Sequence, residues 1–203
     1  QVSGMGANLI TIFPANQFKG GVMMGNSASQ RLSVDDYEAI AENCPSVSLV
    51  SPEIRTSGQL VNGGKNAPST IMGGNQDYLE IKKYKIQSGR MFNSREINSS
   101  AKLCVVGKTV VNNLFEKDEN PIGQKIRFRN IPFKIIGVLS EKGQNTFGQD
   151  QDDIIIAPFT TVQKRILAIT HIQNILCSAI SESRTTEAVE EIKSELRKKH
   201  KLK

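Results

Sequence analysis

Gly107-Lys108-Thr109 follows the apolar run Leu103 to Val106 and carries the ending of a phosphate-binding loop. That chemistry needs an earlier glycine five residues before Gly107, so that successive backbone N–H groups can wrap the phosphates, and Lys102 stands there instead. Gly4-Met5-Gly6 lacks a third glycine and precedes a strand rather than following one. Both patterns argue against nucleotide binding. Asp150, Asp152 and Asp153 could offer hard oxygens to calcium, but no glycine or distal glutamate completes a loop, and the alternative is a solvated turn ahead of a strand. There is no GxSxG, and His171 and His200 stand far apart in no recognisable catalytic setting. No catalytic residue, cofactor site or metal site is expected.

Cys44, Cys104 and Cys177 show no CxxC spacing, which removes the usual zinc signature. Each lies in or beside an apolar periodic segment, so the expected role is a small buried hydrophobe. An odd count neither demands nor excludes an oxidising compartment. Val22, Met23 and Met24 sit in a glycine-bracketed loop and are the candidate partner-contact residues, because flexible methionines adapt to irregular surfaces. The alternative is a loop that folds back on its own core. The basic tail from Arg197 to Lys203 has three readings: a membrane-surface contact, a nucleic-acid patch, or a solvated helix end.

Composition narrows these choices. At 203 residues and 38% hydrophobic the chain can build a core in one or two compact units without staples. Of the net charge of +6, most comes from that tail, leaving a nearly neutral body. With 5% aromatic residues and no Trp, a nucleic-acid partner is not expected. No apolar run reaches the roughly 18 residues that cross a bilayer, and no signal peptide precedes Gln1. The expectation is a soluble piece cut from something longer.

The elements that must position these residues are organised around residues 123 to 143. Ile126 and Phe128 alternate with Arg127 and Arg129, Asn130 and Pro132 interrupt, and apolar residues resume at Phe133, Ile135 and Leu139. Period-two alternation broken once by turn residues predicts a hairpin. Ile136 and Val138 occupy the second face, which puts the later strand in the middle of a sheet. Upstream, residues 8 to 14 read as a strand, Ser33 and Asp36 as a capping box opening a helix that ends at Pro45, and residues 47 to 52 as the next strand, together a β-α-β unit. Asn62-Gly63 marks a hairpin. Short helices are expected around Gln76 to Ile81 and Thr109 to Phe115. A buried strand follows at 152 to 158, then a helix near Thr160 to Leu167, a strand at 172 to 181, and a helix from about Thr185 with Val189, Ile192 and Leu196 on one face. The fold class is α+β. Residues 61 to 147 read as an inserted strand-rich subdomain.

Several segments together, GANLITIFP, VSLVSP, YLEIKKYKIQSGRMF, CVVGKTVVNNLF, PIGQKIRFRNIPFKIIGVLSEKG and DQDDIIIAPF, resemble the periplasmic core domain of the MacB and FtsX-like permeases of ABC transporters. The resemblance runs through nearly the whole chain, and the combination of PIGQ, FKIIGVL and DQDD carries it. It implies a domain inserted between the first two transmembrane helices of a bacterial inner-membrane permease. It also implies two lobes: a porter-like α/β lobe from both chain ends, 1–60 and 148–203, and a mostly β, Sabre-like lobe at 61–147. The implied function is non-catalytic: transmission of ATP-driven motion across the membrane and docking of an adaptor or substrate for export. The implied partners are a second permease copy, a periplasmic adaptor protein and a cytoplasmic ATPase in a separate domain or subunit. The alternative is a stand-alone periplasmic ligand-binding or lipoprotein-handling domain.

Overall fold

A computed structural model describes residues 2–5, 8–14 and 31–201. In chain order the strands and helices are β1 (Val2–Met5), β2 (Leu9–Ile12), α1 (Val34–Asn43), β3 (Val47–Asn62), β4 (Lys65–Gly74), α2 (Tyr78–Lys82), β5 (Ile86–Gly89), α3 (Ser94–Asn98), β6 (Leu103–Val106), α4 (Lys108–Leu114), β7 (Lys125–Phe128), β8 (Ile131–Leu139), β9 (Ile154–Pro158), α5 (Phe159–Thr161), β10 (Asn174–Ala179) and α6 (Thr185–Lys201). Two compact units result: Gln1–Glu53 with Ile169–Lys203, and Ile54–Ala168.

In the first unit the strand order is β1, β2, β10, then the front half of β3, all antiparallel neighbours. The expected β-α-β unit is present as a split one, because β10 lies between β2 and β3. Pro52 in β3 pairs with Ile175 of β10. Having no N–H to donate, it is tolerated because β3 is the edge strand here. Helix α1 begins at the expected capping box: Asp36 N–H donates to Ser33 Oγ at 3.2 Å, and Ser33 N–H donates to Asp36 Oδ2 at 2.9 Å. Helix α6 packs against α1, β1 and β2. Its innermost residues are Ala188 and Ile192, over a core that includes Ile10, Ile12, Ile40, Ile172, Ile175 and Cys177.

The second unit is a mixed sheet in the order β3 (its rear half), β4, β9, β6, β8, β5, with β7 pairing both β3 and β8. The expected hairpin is β7 and β8, joined through Arg129 and Asn130 at φ +48° and +66°. Two consecutive left-handed residues make the tight turn whose twist matches the flanking strands. From Ile135 to Leu139 strand β8 is buried on both faces, as Ile135, Ile136, Val138 and Leu139 show, while its opening residues keep one face exposed at Lys134. Strand β9 runs parallel to β4 and antiparallel to β6, so it belongs to the second unit, whereas the sequence expectation groups it with the chain ends. Helix α3 is not among the sequence expectations. It has its own capping box, Asn93 with Glu96, and Arg90 grips the Glu96 carboxylate at 2.8 and 2.9 Å. That bidentate hydrogen bond is the main reason the Glu96 carboxyl is held below its ordinary pKa.

Candidate functional site

The residues proposed for partner contact, Val22, Met23 and Met24, lie outside the described residues. Two other motifs, Gly107-Lys108-Thr109 and the acidic turn at Asp150, Asp152 and Asp153, meet at one place in the second unit. Gly107 N–H donates to the Ile154 carbonyl at 2.9 Å, Thr109 N–H to the Asp152 carbonyl at 3.3 Å, and Thr109 Oγ1 to Asp150 Oδ2 at 2.6 Å. The start of α4, where the phosphate-loop ending stands, is therefore filled by the chain's own backbone and carboxylate. A Cβ on Gly107 would sit 2.2 Å from the Asp152 carbonyl oxygen, which explains the glycine without any ligand.

Each aspartate of the turn has its own task. Asp150 Oδ1 accepts from the Asp152 N–H at 2.8 Å, and Asp153 Oδ1 accepts from Ser69 Oγ at 2.8 Å. Asp152, which is buried, accepts from the Lys142 N–H at 2.8 Å and the Gly143 N–H at 2.9 Å. Among the described residues, no group of three or more His, Cys, Asp or Glu side chains could hold a metal ion. The carboxylates here clamp a loop. Tyr84 reinforces the clamp, donating from its hydroxyl to the Gln151 carbonyl at 3.0 Å, with the Lys142 ammonium 4.1 Å from its ring centroid. Lys142 Nζ also donates to the Lys82 carbonyl at 2.7 Å. Burial, aided by the Lys82 charge, lowers the Lys142 pKa.

What the clamp presents is Phe147, 86% exposed at the tip of the loop. The tip is internally bonded: Asn145 Oδ1 accepts from the Phe147 N–H at 2.9 Å and the Gln149 N–H at 3.0 Å, and Asn145 N–H donates to the Gln149 carbonyl at 2.9 Å. Gly143 and Gly148, at φ +79° and +77°, supply the left-handed bends on either side. A large apolar side chain is thus held out from a braced tip. Its sequence signal is Phe147 alone among Gln, Asn, Thr and Gly, with no apolar neighbour at strand or helix spacing to share a buried face.

In the first unit, α6 is tied down along its length. Glu191 accepts from the Ser46 N–H at 2.8 Å and from Ser46 Oγ at 2.6 Å, and Arg184 Nη2 donates to the same hydroxyl at 3.0 Å. Arg184 also pairs with Glu187. Further along, Asn43 Nδ2 donates to Glu195 Oε2 at 3.3 Å, and His200 Nε2 lies 3.3 Å from Asp36 Oδ2. A cleft of about 380 Å³ beside these last contacts is lined by Arg31, Ser33, Asp35, Asp36, Glu195, Lys198, Lys199 and His200.

The three cysteines are buried and free. Burial first, then the Glu191 and Glu195 charges, pushes the Cys44 thiol up to about 11, and burial raises Cys104 and Cys177 further. Such thiols are inert packing groups, as their apolar surroundings in the sequence predict. No helix among the described residues is long and apolar enough to cross a membrane.

A family defined as "MacB-like periplasmic core domain" matches residues 1–195. The chain belongs to that family. MacB-like relatives named macrolide export ATP-binding/permease protein MacB include those of Syntrophobacter fumaroxidans, 37% identical over 183 residues, and Rhodopirellula baltica, 36% identical over 171 residues. These alignments take in 90% and 83% of this chain but 25% and 24% of the relatives, so the chain spans about a quarter of their length. The fold is similar to the crystal structure of the periplasmic region of MacB from Actinobacillus actinomycetemcomitans, with a TM-score of 0.79, 25% identity, and coverage of 96% of this chain and 85% of that one. It also matches the extracellular domain of the noncanonic ABC-type transporter YknZ from Gram-positive bacteria, with a TM-score of 0.76, 20% identity and 94% of both chains. This MacB-like chain is thus the periplasmic core domain of an ABC transporter permease, a sheet-rich α/β fold.

Proposed function

We propose that this MacB-like domain is a non-catalytic coupling element: it receives movement through α6, passes it into the first unit's sheet, and docks a partner for export through the second unit. The unit built from both chain ends is the porter-like lobe and the inserted unit the Sabre-like lobe. ATP hydrolysis belongs to a cytoplasmic domain or subunit, a second permease copy completes the dimer, and a periplasmic adaptor is the docked partner.

The observation that carries the proposal is the anchoring of α6. A helix of 17 residues rises about 25 Å at 1.5 Å per residue, enough to reach across a small lobe. Held at Ser46, Asn43 and Asp36, with Ala188 and Ile192 in the core, it cannot slide without moving α1 and the sheet beneath. Phe147 on its clamped loop is the docking residue supported best, with Val22, Met23 and Met24 a second candidate. The rival function, a stand-alone ligand-binding domain, calls for a largely apolar pocket, and the cleft of the first unit is lined by charged side chains.

Inserting Gly-Gly after Lys198 in the full-length permease tests the coupling. The insertion lies beyond Ile192, so the domain should still fold, while transport should fall with ATP turnover retained. Undiminished transport would remove α6 from the coupling path.

A further inference from the structure

We infer that the outer face of the β3, β7 and β8 strands is a docking surface for a carboxylate-bearing protein partner. Two independent observations meet there. In the β7–β8 ladder Lys125 stands directly opposite Lys134, and both are exposed. Residues directly opposite in an antiparallel pair share one face with Cβ atoms about 5 Å apart, where like charges oppose folding. Arg127, exposed two residues along on the same face, adds a third cation. Among the described residues none of the three makes an ion pair, although cations elsewhere do, Arg90 with Glu96 and Lys65 with Glu116 among them. Three exposed cations on adjoining rungs, none held in an ion pair among the described residues, are available to counter-charge from outside the chain.

The second observation is Val61. It is 37% exposed, one of three exposed large hydrophobic residues among those described, and β3–β7 pairing sets it directly opposite Arg127. Arg127 in turn faces Pro132 on β8. One row across the face therefore reads Val, Arg, Pro and the next reads Lys, Lys. An apolar centre beside arginine with a charged margin has the make-up of a protein–protein contact. A lipid surface would call for larger apolar side chains to enter it, and a single half-exposed valine provides little. The charge complement of this face is a strand or helix bearing glutamate or aspartate. The inference does not rest on the docking role given to Phe147.

Lys125→Glu separates function from architecture, because it puts a carboxylate opposite Lys134. Thermal stability should rise, with Tm up by about 1 to 3 °C, while affinity for an immobilised glutamate-rich peptide should fall about tenfold. Lys164→Glu, at an exposed lysine elsewhere in the same unit, makes the same change in net charge and should alter peptide affinity less than about twofold. An unchanged or lower Tm for Lys125→Glu overturns the like-charge premise. Equal losses in the two variants, or no peptide binding by the parent chain, overturn the surface. Binding to phosphatidylglycerol vesicles, or self-association in sedimentation, that Lys125→Glu abolishes while the peptide is ignored would assign the face to lipid or to a second copy and overturn the protein partner.

Discussion

Glu191 on α6 grips Ser46 twice, accepting from its backbone N–H at 2.8 Å and from its hydroxyl at 2.6 Å. Ser46 is fully buried in the turn between α1 and β3, so its N–H has no water to fall back on. Glu191→Ala should therefore destabilise the chain by about 1–3 kcal/mol, the cost of an unsatisfied buried donor, and Glu191→Gln by less because an acceptor remains. Urea unfolding of both variants measures this. A loss below about 0.5 kcal/mol for the alanine variant, the size of an ordinary surface change, would mean the contact does not anchor α6.

Asp152 and Phe147 should behave in opposite ways. Asp152→Ala removes the acceptor for two backbone N–H groups and should cost about 1–3 kcal/mol, along with the order of the loop. Phe147→Ser removes an exposed ring and should leave stability within about 0.5 kcal/mol while weakening adaptor capture. Calorimetry paired with a pull-down on the full permease separates the two. Adaptor capture equal to that of the parent would take Phe147 out of the interface.

The thiols make a pH-dependent contribution whose sign follows from their burial. Cys44 moves from its ordinary 9.0 to about 11 on folding, and Cys104 and Cys177 also move upward. The folded chain keeps these protons to higher pH than the unfolded chain does. Their contribution is complete below pH 9.0, shrinks as pH rises, and is gone above the folded values. A variant with all three cysteines replaced by alanine should show a shallower decline in stability on the alkaline side. Identical alkaline slopes in the two proteins would contradict the burial argument.

Gly107→Ala should be costly, because Gly107 is the N-cap of α4, where alanine is disfavoured, and its surroundings leave no room for a methyl group. Its methyl group would stand 2.2 Å from the Asp152 carbonyl oxygen, and that backbone is itself bonded to Thr109. Displacing it should cost about 1–3 kcal/mol, the usual range for overpacking. A gain in thermal stability would show that the β6–α4 junction is looser than its hydrogen bonds imply.

Local pattern was enough to find the elements whose code lies within a few residues. The capping box at Ser33 and Asp36, the start of α6 at Thr185 and the existence of the β7–β8 hairpin all depend on neighbours in sequence, although the turn itself is Arg129-Asn130 and the expected turn residue Pro132 lies within β8. The partner of β9 was not legible. IIIAP reads as buried whichever sheet receives it, and only tertiary pairing with β4 and β6 assigns it. The division between units was equally hidden, because it falls between Glu53 and Ile54 inside one strand that continues straight through Pro52. At the candidate site, composition marks Val22, Met23 and Met24 in the sequence, while Phe147 carries no periodic signal. What makes Phe147 notable is the distant clamp of Asp152 and Tyr84, which periodicity cannot register.

The place of β10 between β2 and β3 has a consequence for the order in which the chain is made. The second unit is one unbroken segment, Ile54–Ala168, and every strand pairing it needs is available once that segment has left the ribosome. The first unit must wait. Asn8, just ahead of β2, donates from Nδ2 to the Ala179 carbonyl at the end of β10 at 3.2 Å, across 171 positions of sequence. Until Asn174–Ala179 emerges, β2 and the front of β3 have open ladder edges with nothing between them. Between the emergence of Ala168 and that of Ala179 the nascent chain thus carries a complete second unit between two unfinished halves of the first. That interval is when a chaperone, or a neighbouring chain, can reach those edges.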